Sequence, residues 1–373
     1  GSFGLHRPHV YFHSLCRHSG LLMSLFHKNI LAGASGAGGG AALVDIAVTN
    51  VASPYVNAYP WESGTGFGTA YSNPSTLPAG AGRGVAFNND GTALAVSHDS
   101  SPGVSVYAYT VGTGFGSKFA NMSPVHGYGG KAVAFNPAGD VIIIGSILYP
   151  YCQAWAWSAS GFGSKYSDPS TALNALGNDV SWHPDGDVVA FAVNASGRPV
   201  QAYAWSNGFG SKYSDPSTLP ASTGHGVAFS PDGDYIAVAH VLTGFVSAYP
   251  WSNGFGSKYS DPGNTPASHG RGVAFNADSN VVSVASDNGD FVHTYPWSSA
   301  GFGSRYTKPS TRPTGNCNGV AFSSDGADLA FAHDSSPHIT AYPFDASTGY
   351  GTKYSNPSTL PASSGTRVAF SPT

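Results

Sequence analysis

The sequence is poor in charge: Asp, Glu, Lys and Arg make up 10% of its 373 residues, where soluble domains average about a quarter. With only 16 Lys plus Arg and a formal net charge of −4, it offers no concentrated basic face, which argues against a nucleic-acid partner. No apolar run reaches the ~20 residues that a membrane-spanning helix needs, and no segment carries a helical period. Cysteine is scarce. Cys16, Cys152 and Cys317 sit at unrelated positions, so neither a disulfide framework nor a metal site follows, and the redox compartment is left open. Also missing is any single place where a nucleophile and base, or two carboxylates, stand apart from their surroundings. That absence leads to the expectation of a protein that is not an enzyme, with no catalytic residue, no cofactor and no metal.

What the chain does have is repetition. The Val of a "VAF" motif recurs at Val85, Val133, Val180 (as "VSW"), Val227, Val273, Val320 and Val368, at spacings of 48, 47, 47, 46, 47 and 48 residues. A "GFG" or "GYG" marker accompanies it at Phe67, Phe115, Phe162, Phe209, Phe255, Phe302 and Tyr350. Each period reads as four strands. "GVAF" is a short apolar run, "SPDGD" supplies a tight turn, and "YIAVAH" continues with β-branched residues. "FVSAYPW" and a Gly-bounded "GFGSKY" follow, and a long "SDPSTLPASTG" connection leads to the next unit.

Seven such units predict an all-β fold, a seven-bladed β-propeller of four-stranded blades spanning residues 42–373. The first unit lacks its own "VAF" strand, while "TRVAFSPT" at residues 366–373 is a first strand without a blade. Pairing that C-terminal strand into the first blade closes the ring and removes its exposed edges. Gly and Pro are abundant, at 49 and 26 residues, but the repeat organises them.

Residues 1–41 differ in kind, and are expected to form an extended N-terminal arm with a Gly-rich linker. Five of the fourteen His (His6, His9, His13, His18 and His27) fall there, ahead of "AGASGAGGGAA". Their irregular spacing favours a tether over a metal site. "LLMSLFHKNILAG" is apolar enough to dock on a partner but too interrupted for a signal peptide, and Met23 is a plausible natural start.

Two registers stand out as candidate sites. Two residues before each "VAF" valine come Arg83, Lys131, Asn178, His225, Arg271, Asn318 and Thr366. In a propeller the first strand lines the central channel, so these side chains should ring its mouth. There they either bind an anion, an acidic sugar or a partner's carboxylates, or simply hydrogen-bond the long connections. The second register follows each "GFG": Tyr71, Phe119, Tyr166, Tyr213, Tyr259, Tyr306 and Tyr354. The tyrosines could stack on sugar rings with avidity, whereas packing between blades is the better account of the "GFG" Phe and of most of Trp61, Trp157, Trp205, Trp251 and Trp297. Asp90, Asp185, Asp232, Asp278 and Asp325 read as turn residues, and His98, His240 and His333 as loop caps.

The "VAFSPDG…YIAVAH…VSAYPW" pattern resembles the WD-repeat class of seven-bladed propellers over residues 42–373. It departs from that class in lacking the Trp-Asp dipeptide, having Trp61-Glu62, Trp157-Ser158, Trp205-Ser206, Trp251-Ser252, Trp297-Ser298 or Phe344-Asp345 instead. The regular "GFGSKYSDPSTLPASTG" repeat and the opening "MSLFHKNILAGASGAGGG" also resemble propellers of tailed-phage virions. That resemblance implies a virion protein, a capsid or tail appendage. Residues 1–41 would anchor it to other virion proteins while the propeller meets a host-surface glycan or protein. The alternative is a secreted or cell-surface propeller lectin that binds glycans at repeated sites.

Overall fold

The computed structural model describes Gly1 and residues 43–373, so the expected arm at 1–41, with Cys16 and its five histidines, lies outside the described residues. The described chain folds into seven antiparallel sheets, and none of its elements is a helix. We number the blades in chain order. Blade 1 contains Val44–Asn50, Val56–Glu62 and Gly66–Phe67, with the C-terminal strand Gly365–Phe370 paired antiparallel to Val44–Asn50. The ring is thus closed by strands from opposite ends of the repeat. Blades 2, 3 and 4 begin at Gly82–Phe87, Gly130–Phe135 and Gly177–Trp182, and blades 5, 6 and 7 at Gly224–Phe229, Gly270–Phe275 and Cys317–Phe322. In blade 5 the outer strand is reduced to a single bridge between Trp251 and Phe255.

Every second strand is apolar on both faces and buried along nearly its whole length, as in Val141–Ser146 and Val188–Val193. One blade leaves both faces of that strand bare. Packing each sheet between two neighbours covers them, and the core is accordingly a series of clusters lying in the seams. Third-strand tryptophans plug those seams: Trp61, Trp157, Trp205, Trp251 and Trp297 are all at most 7% exposed.

The aromatic that follows each "GFG" completes the seam. Tyr354 meets Trp61 edge-on at 5.0 Å between centroids, Tyr166 meets Trp205 at 5.1 Å, Tyr213 meets Trp251 at 5.1 Å and Tyr259 meets Trp297 at 5.2 Å. Each of these tyrosines thereby leans from one blade onto the next. Two hydroxyls of this column reach buried carboxylates: Tyr71 donates to Asp45 at 2.8 Å and Tyr354 to Asp328 at 2.7 Å. Asp45 and Asp328 stand on the two seams that flank blade 1, the blade assembled from both chain ends.

Three of the predicted turn aspartates cap their own turns, Asp90 accepting from Thr92 N, Asp232 from Asp234 N and Asp325 from Ala327 N. His98, His240 and His333 are buried at the ends of their second strands. Their Nε2 atoms lie 2.9–3.0 Å from the hydroxyls of Ser105, Ser247 and Thr340 on the third strand, so they also join strands.

Candidate functional site at the channel mouth

Where the first strand of each blade meets the second, the pairing slips by one residue. In blade 2, Gly82 pairs with His98 and Gly84 with Ser97, which leaves Arg83 as the extra residue of a β-bulge. The same slip singles out Lys131, Asn178, His225, Arg271, Asn318 and, in the closing strand, Thr366. A regular strand alternates its side chains between faces. The bulge breaks that alternation, so two consecutive residues per blade face the axis, and the channel has two layers.

The upper layer is the sequence-predicted ring. All seven residues line one cavity of about 400 Å³ at the channel mouth, together with Asp334, Ser364 and Arg367. All members but His225 are tied to their own or a neighbouring blade. Arg83 grips Asp99, with Nε 3.0 Å from each carboxylate oxygen, and Arg271 grips Asp287 in the same way. Asn178 donates to Gly224 O at 2.8 Å, while Asn318 donates to Asp334 at 2.7 Å and to Gly365 O at 2.9 Å. Lys131 stands 3.5 Å from Asp99, which it shares with Arg83, so this wall carries one more cation than anion. Burial works against the Asp99 charge, but Arg83 and Lys131 hold its carboxyl below the usual range. Thr366 is turned into the wall, where its hydroxyl donates to Gly82 O and lies 2.9 Å from the hydroxyl of Thr49.

The ring of His225 makes no hydrogen bond among the described residues. Burial, followed by the nearby cations of Arg271 and Arg367, lowers its pKa to about 4. It is therefore a neutral imidazole at neutral pH, with a lone pair available.

The lower layer holds the residue just before each "VAF" valine: Gly84, Ala132, Asp179, Gly226, Gly272, Gly319 and Arg367. Five are Gly or Ala because neighbouring first strands nearly touch at the axis. A Cβ on Gly226 would sit 2.9 Å from the Gly272 Cα, and one on Gly319 2.9 Å from the Arg367 Cα. Only Asp179 and Arg367 break the column, and sequence reasoning missed both. The signal was present as a column of small residues interrupted by one acid and one base, but the bulge that turns this column inward was not foreseeable from the spacing.

Arg367 bars the channel. Nη1 donates to Asn318 O at 2.6 Å and Thr366 O at 3.1 Å, and Nη2 reaches across to His225 O in blade 5 at 3.2 Å. Of its five donors, Nε–H and one Nη2–H stay free among the described residues. Below the bar lies a chamber of about 190 Å³ walled by Gly, Ala and Val around Asp179. Burial raises the Asp179 pKa against the opposing pull of Arg367 and of the Val227 and Val180 amides. The mouth is thus a cup with charged walls, in which Arg83, Lys131 and Arg271 stand against Asp99, Asp287 and Asp334, and a guanidinium floor beside a neutral imidazole.

Among the described residues no group of three or more His, Cys, Asp or Glu is placed to hold a metal ion. Cys152 and Cys317 are buried far from one another in sequence and are free thiols, both pushed up in pKa by that burial.

The fold defines the class, a seven-bladed β-propeller. No family model matches the chain, and no curated protein sequence matches it. Solved structures do. A protein of Bacteroides fragilis provisionally assigned as a 6-phosphogluconolactonase is 12% identical, with a TM-score of 0.70 over 90% of this chain and 99% of that one. A Bacteroides uniformis protein with the same provisional assignment is 13% identical, with a TM-score of 0.69 over 88% and 99%. The periplasmic gluconolactonase of Pseudomonas aeruginosa is 14% identical, with a TM-score of 0.62 over 88% and 99%. At such identities the likeness is one of fold.

These neighbours correct two expectations. They carry the names of lactone-hydrolysing enzymes, not of virion proteins, so the reading of the chain as a non-catalytic phage appendage, or as a lectin, does not stand. The expectation that no residues stand apart from the repeat is corrected as well. The repeat is broken in one layer, at Asp179 and Arg367, beneath His225.

Proposed function

We propose that the channel mouth binds a small hydroxylated anion and hydrolyses a sugar-acid lactone. The observation that carries this reading is the juxtaposition of a neutral His225, free of protein partners, with the two free donors of Arg367 on the cavity floor. The names of the structurally similar proteins supply the substrate class.

In this reading the surplus cation of the Arg83, Lys131 and Asp99 wall holds the anionic end of the substrate, and the amides of Asn178 and Asn318 face its hydroxyls. Arg367 donates to the lactone carbonyl oxygen and stabilises the negative charge that develops there. His225 takes a proton from water as the water oxygen bonds to the carbonyl carbon. The ring C–O bond then breaks, and the leaving alkoxide takes the proton from the imidazolium. The product is an open-chain hydroxy acid. A histidine whose pKa lies near 4 stays unprotonated across the neutral range, so its titration should not lower activity at any pH where the propeller remains folded.

The test uses the full chain with glucono-δ-lactone and its 6-phosphate, following acid release with a pH indicator near pH 6.5. The expected result is turnover above the spontaneous rate, with Arg367→Gln lowering kcat by ~10²–10³ and His225→Gln lowering kcat while leaving KM within a few fold. No turnover above the spontaneous rate with either lactone refutes the proposal.

A further inference from the structure

Away from the channel, the rim of blade 6 departs from the repeat. At the start of their long connections, blades 3, 4 and 5 pair a lysine with an aspartate three residues on: Lys165 with Asp168, Lys212 with Asp215 and Lys258 with Asp261. Blade 6 has Arg305 at the lysine position and Lys308 at the aspartate position. It also has Arg312 where blades 1, 4 and 7 have Leu77, Leu219 and Leu360. A neutral pair has become three cations.

All three converge on a single carboxylate. Asp290 lies 3.1 Å from Arg305 Nη2, 2.9 Å from Lys308 Nζ and 2.7 Å from Arg312 Nη1. The cluster carries a surplus of two positive charges in a chain whose net charge is −4. Two of the three are open to solvent, the side chain of Lys308 being 49% exposed and that of Arg312 40%. A second departure holds the third. The position after the first residue of the third strand carries Asn57, Ser105, Gln153, Gln201, Ser247 or Thr340 in other blades, and His293 here. The Nδ1 atom of His293 accepts from Arg305 Nη1 at 2.9 Å, and its buried Nε2 has no partner.

The neighbouring connection departs as well, with Gly263 and Asn264 in place of a Ser-Thr pair. A Cβ on Gly263 would meet nothing within 4 Å. A pocket of about 320 Å³ opens there, lined by Asn264, Ser304, Arg305 and the backbone of Gly303. Groups able to bind hydroxyls therefore stand beside Arg305, through which the pocket adjoins the cationic cluster.

We propose that this rim pocket is a second binding site, for a sulfate or phosphate monoester carried on a sugar. Arg305 belongs to both pocket and cluster, so the oxyanion enters at Arg305 and takes the N–H groups of Lys308 and Arg312 that Asp290 leaves unused. Asn264 and Ser304 take the sugar hydroxyls. The site is independent of the lactone reading of the channel mouth.

The test is isothermal titration of the full chain with glucose 6-sulfate, glucose 6-phosphate and glucose itself. The variants are Lys308→Asp with Arg312→Leu together, which restores residues that other blades already fold with, and Lys131→Ala, which weakens the mouth. If the site is real, the paired change raises Kd for the bound ester at least tenfold, Lys131→Ala leaves it within twofold, and free glucose does not bind. Binding of both esters marks a general oxyanion site, and binding of one alone names the group. Should the double variant lose thermal stability, Lys308→Ala alone is expected to raise Kd about threefold. Binding of neither ester, or loss of binding in Lys131→Ala but not in the rim variants, overturns the proposal.

Discussion

Lowering the pH from 7 to 5 should destabilise the propeller through histidines that are buried as neutral groups. His98, His240, His293 and His333 are at most 1% exposed. Burial is the leading cause that lowers each pKa to about 4. The charged groups nearby do not reverse this: Asp99 and Lys118 oppose one another at His98, Asp261 and Lys258 at His240, and Asp290 and Arg305 at His293, while His338 and Asp334 do so at His333. In the unfolded chain each histidine has a pKa of about 6.5. The unfolded state therefore binds protons that the folded state refuses. The stability these groups contribute is present above pH 6.5 and is lost as the pH falls from there towards 4.

At pH 5 an unfolded histidine is almost fully protonated and a folded one hardly at all, a difference of about 2 kcal/mol per residue. Four of them amount to about 7 kcal/mol beyond the small difference already present at pH 7. That is comparable to the whole stability of many domains. The carboxylates held below their usual range, Asp90, Asp99 and Asp290, add their own acid sensitivity only below about pH 4. The assay is urea denaturation followed by circular dichroism at pH 7, 6 and 5. A triple variant with His98, His240 and His333 changed to Gln can still reach the Ser and Thr hydroxyls. It should retain about two-fifths of the pH dependence, carried by His293 and by His225, whose pKa also lies near 4. An unfolding free energy that changes by less than about 1 kcal/mol between pH 7 and 5 refutes the reasoning.

Two further outcomes test the frame itself. Gly226→Ala puts a Cβ 2.9 Å from the Gly272 Cα and 3.0 Å from the Arg271 carbonyl oxygen, all backbone, and should cost about 1–3 kcal/mol in denaturant titration; a neutral result would mean that the strands at the axis can part freely. Removing residues 365–373 takes away the strand that completes blade 1 and leaves Val44–Asn50 as an open edge; the truncated chain should aggregate or fail to unfold cooperatively, and a monodisperse, cooperative product would rule out closure by that strand.

The division between what was readable and what was not follows the range of the interactions. Seven blades, their four strands and the closing strand were all legible, because turn residues, alternation and a fixed period are local properties repeated along the chain. The ring from Arg83 to Thr366 was legible for the same reason, since a register in the repeat becomes a ring in a closed propeller. The partners of that ring were not. Asp99 and Asp287 lie across a strand pair 16 residues away from Arg83 and Arg271. The tyrosine column illustrates the same limit. Its period was plain, but only the angle between blades lays Tyr213 against Trp251 and Tyr259 against Trp297.

Sequence alone therefore determined the architecture, because each blade encodes its own strands and no single blade can bury both its faces. The tertiary structure decided where chemistry could reside. A one-residue bulge, set by pairing between strands, turned a second column toward the axis and brought Arg367 at the C-terminal end under His225 from blade 5, 142 residues earlier. That meeting depends on closure of the ring, which no local pattern of residues specifies.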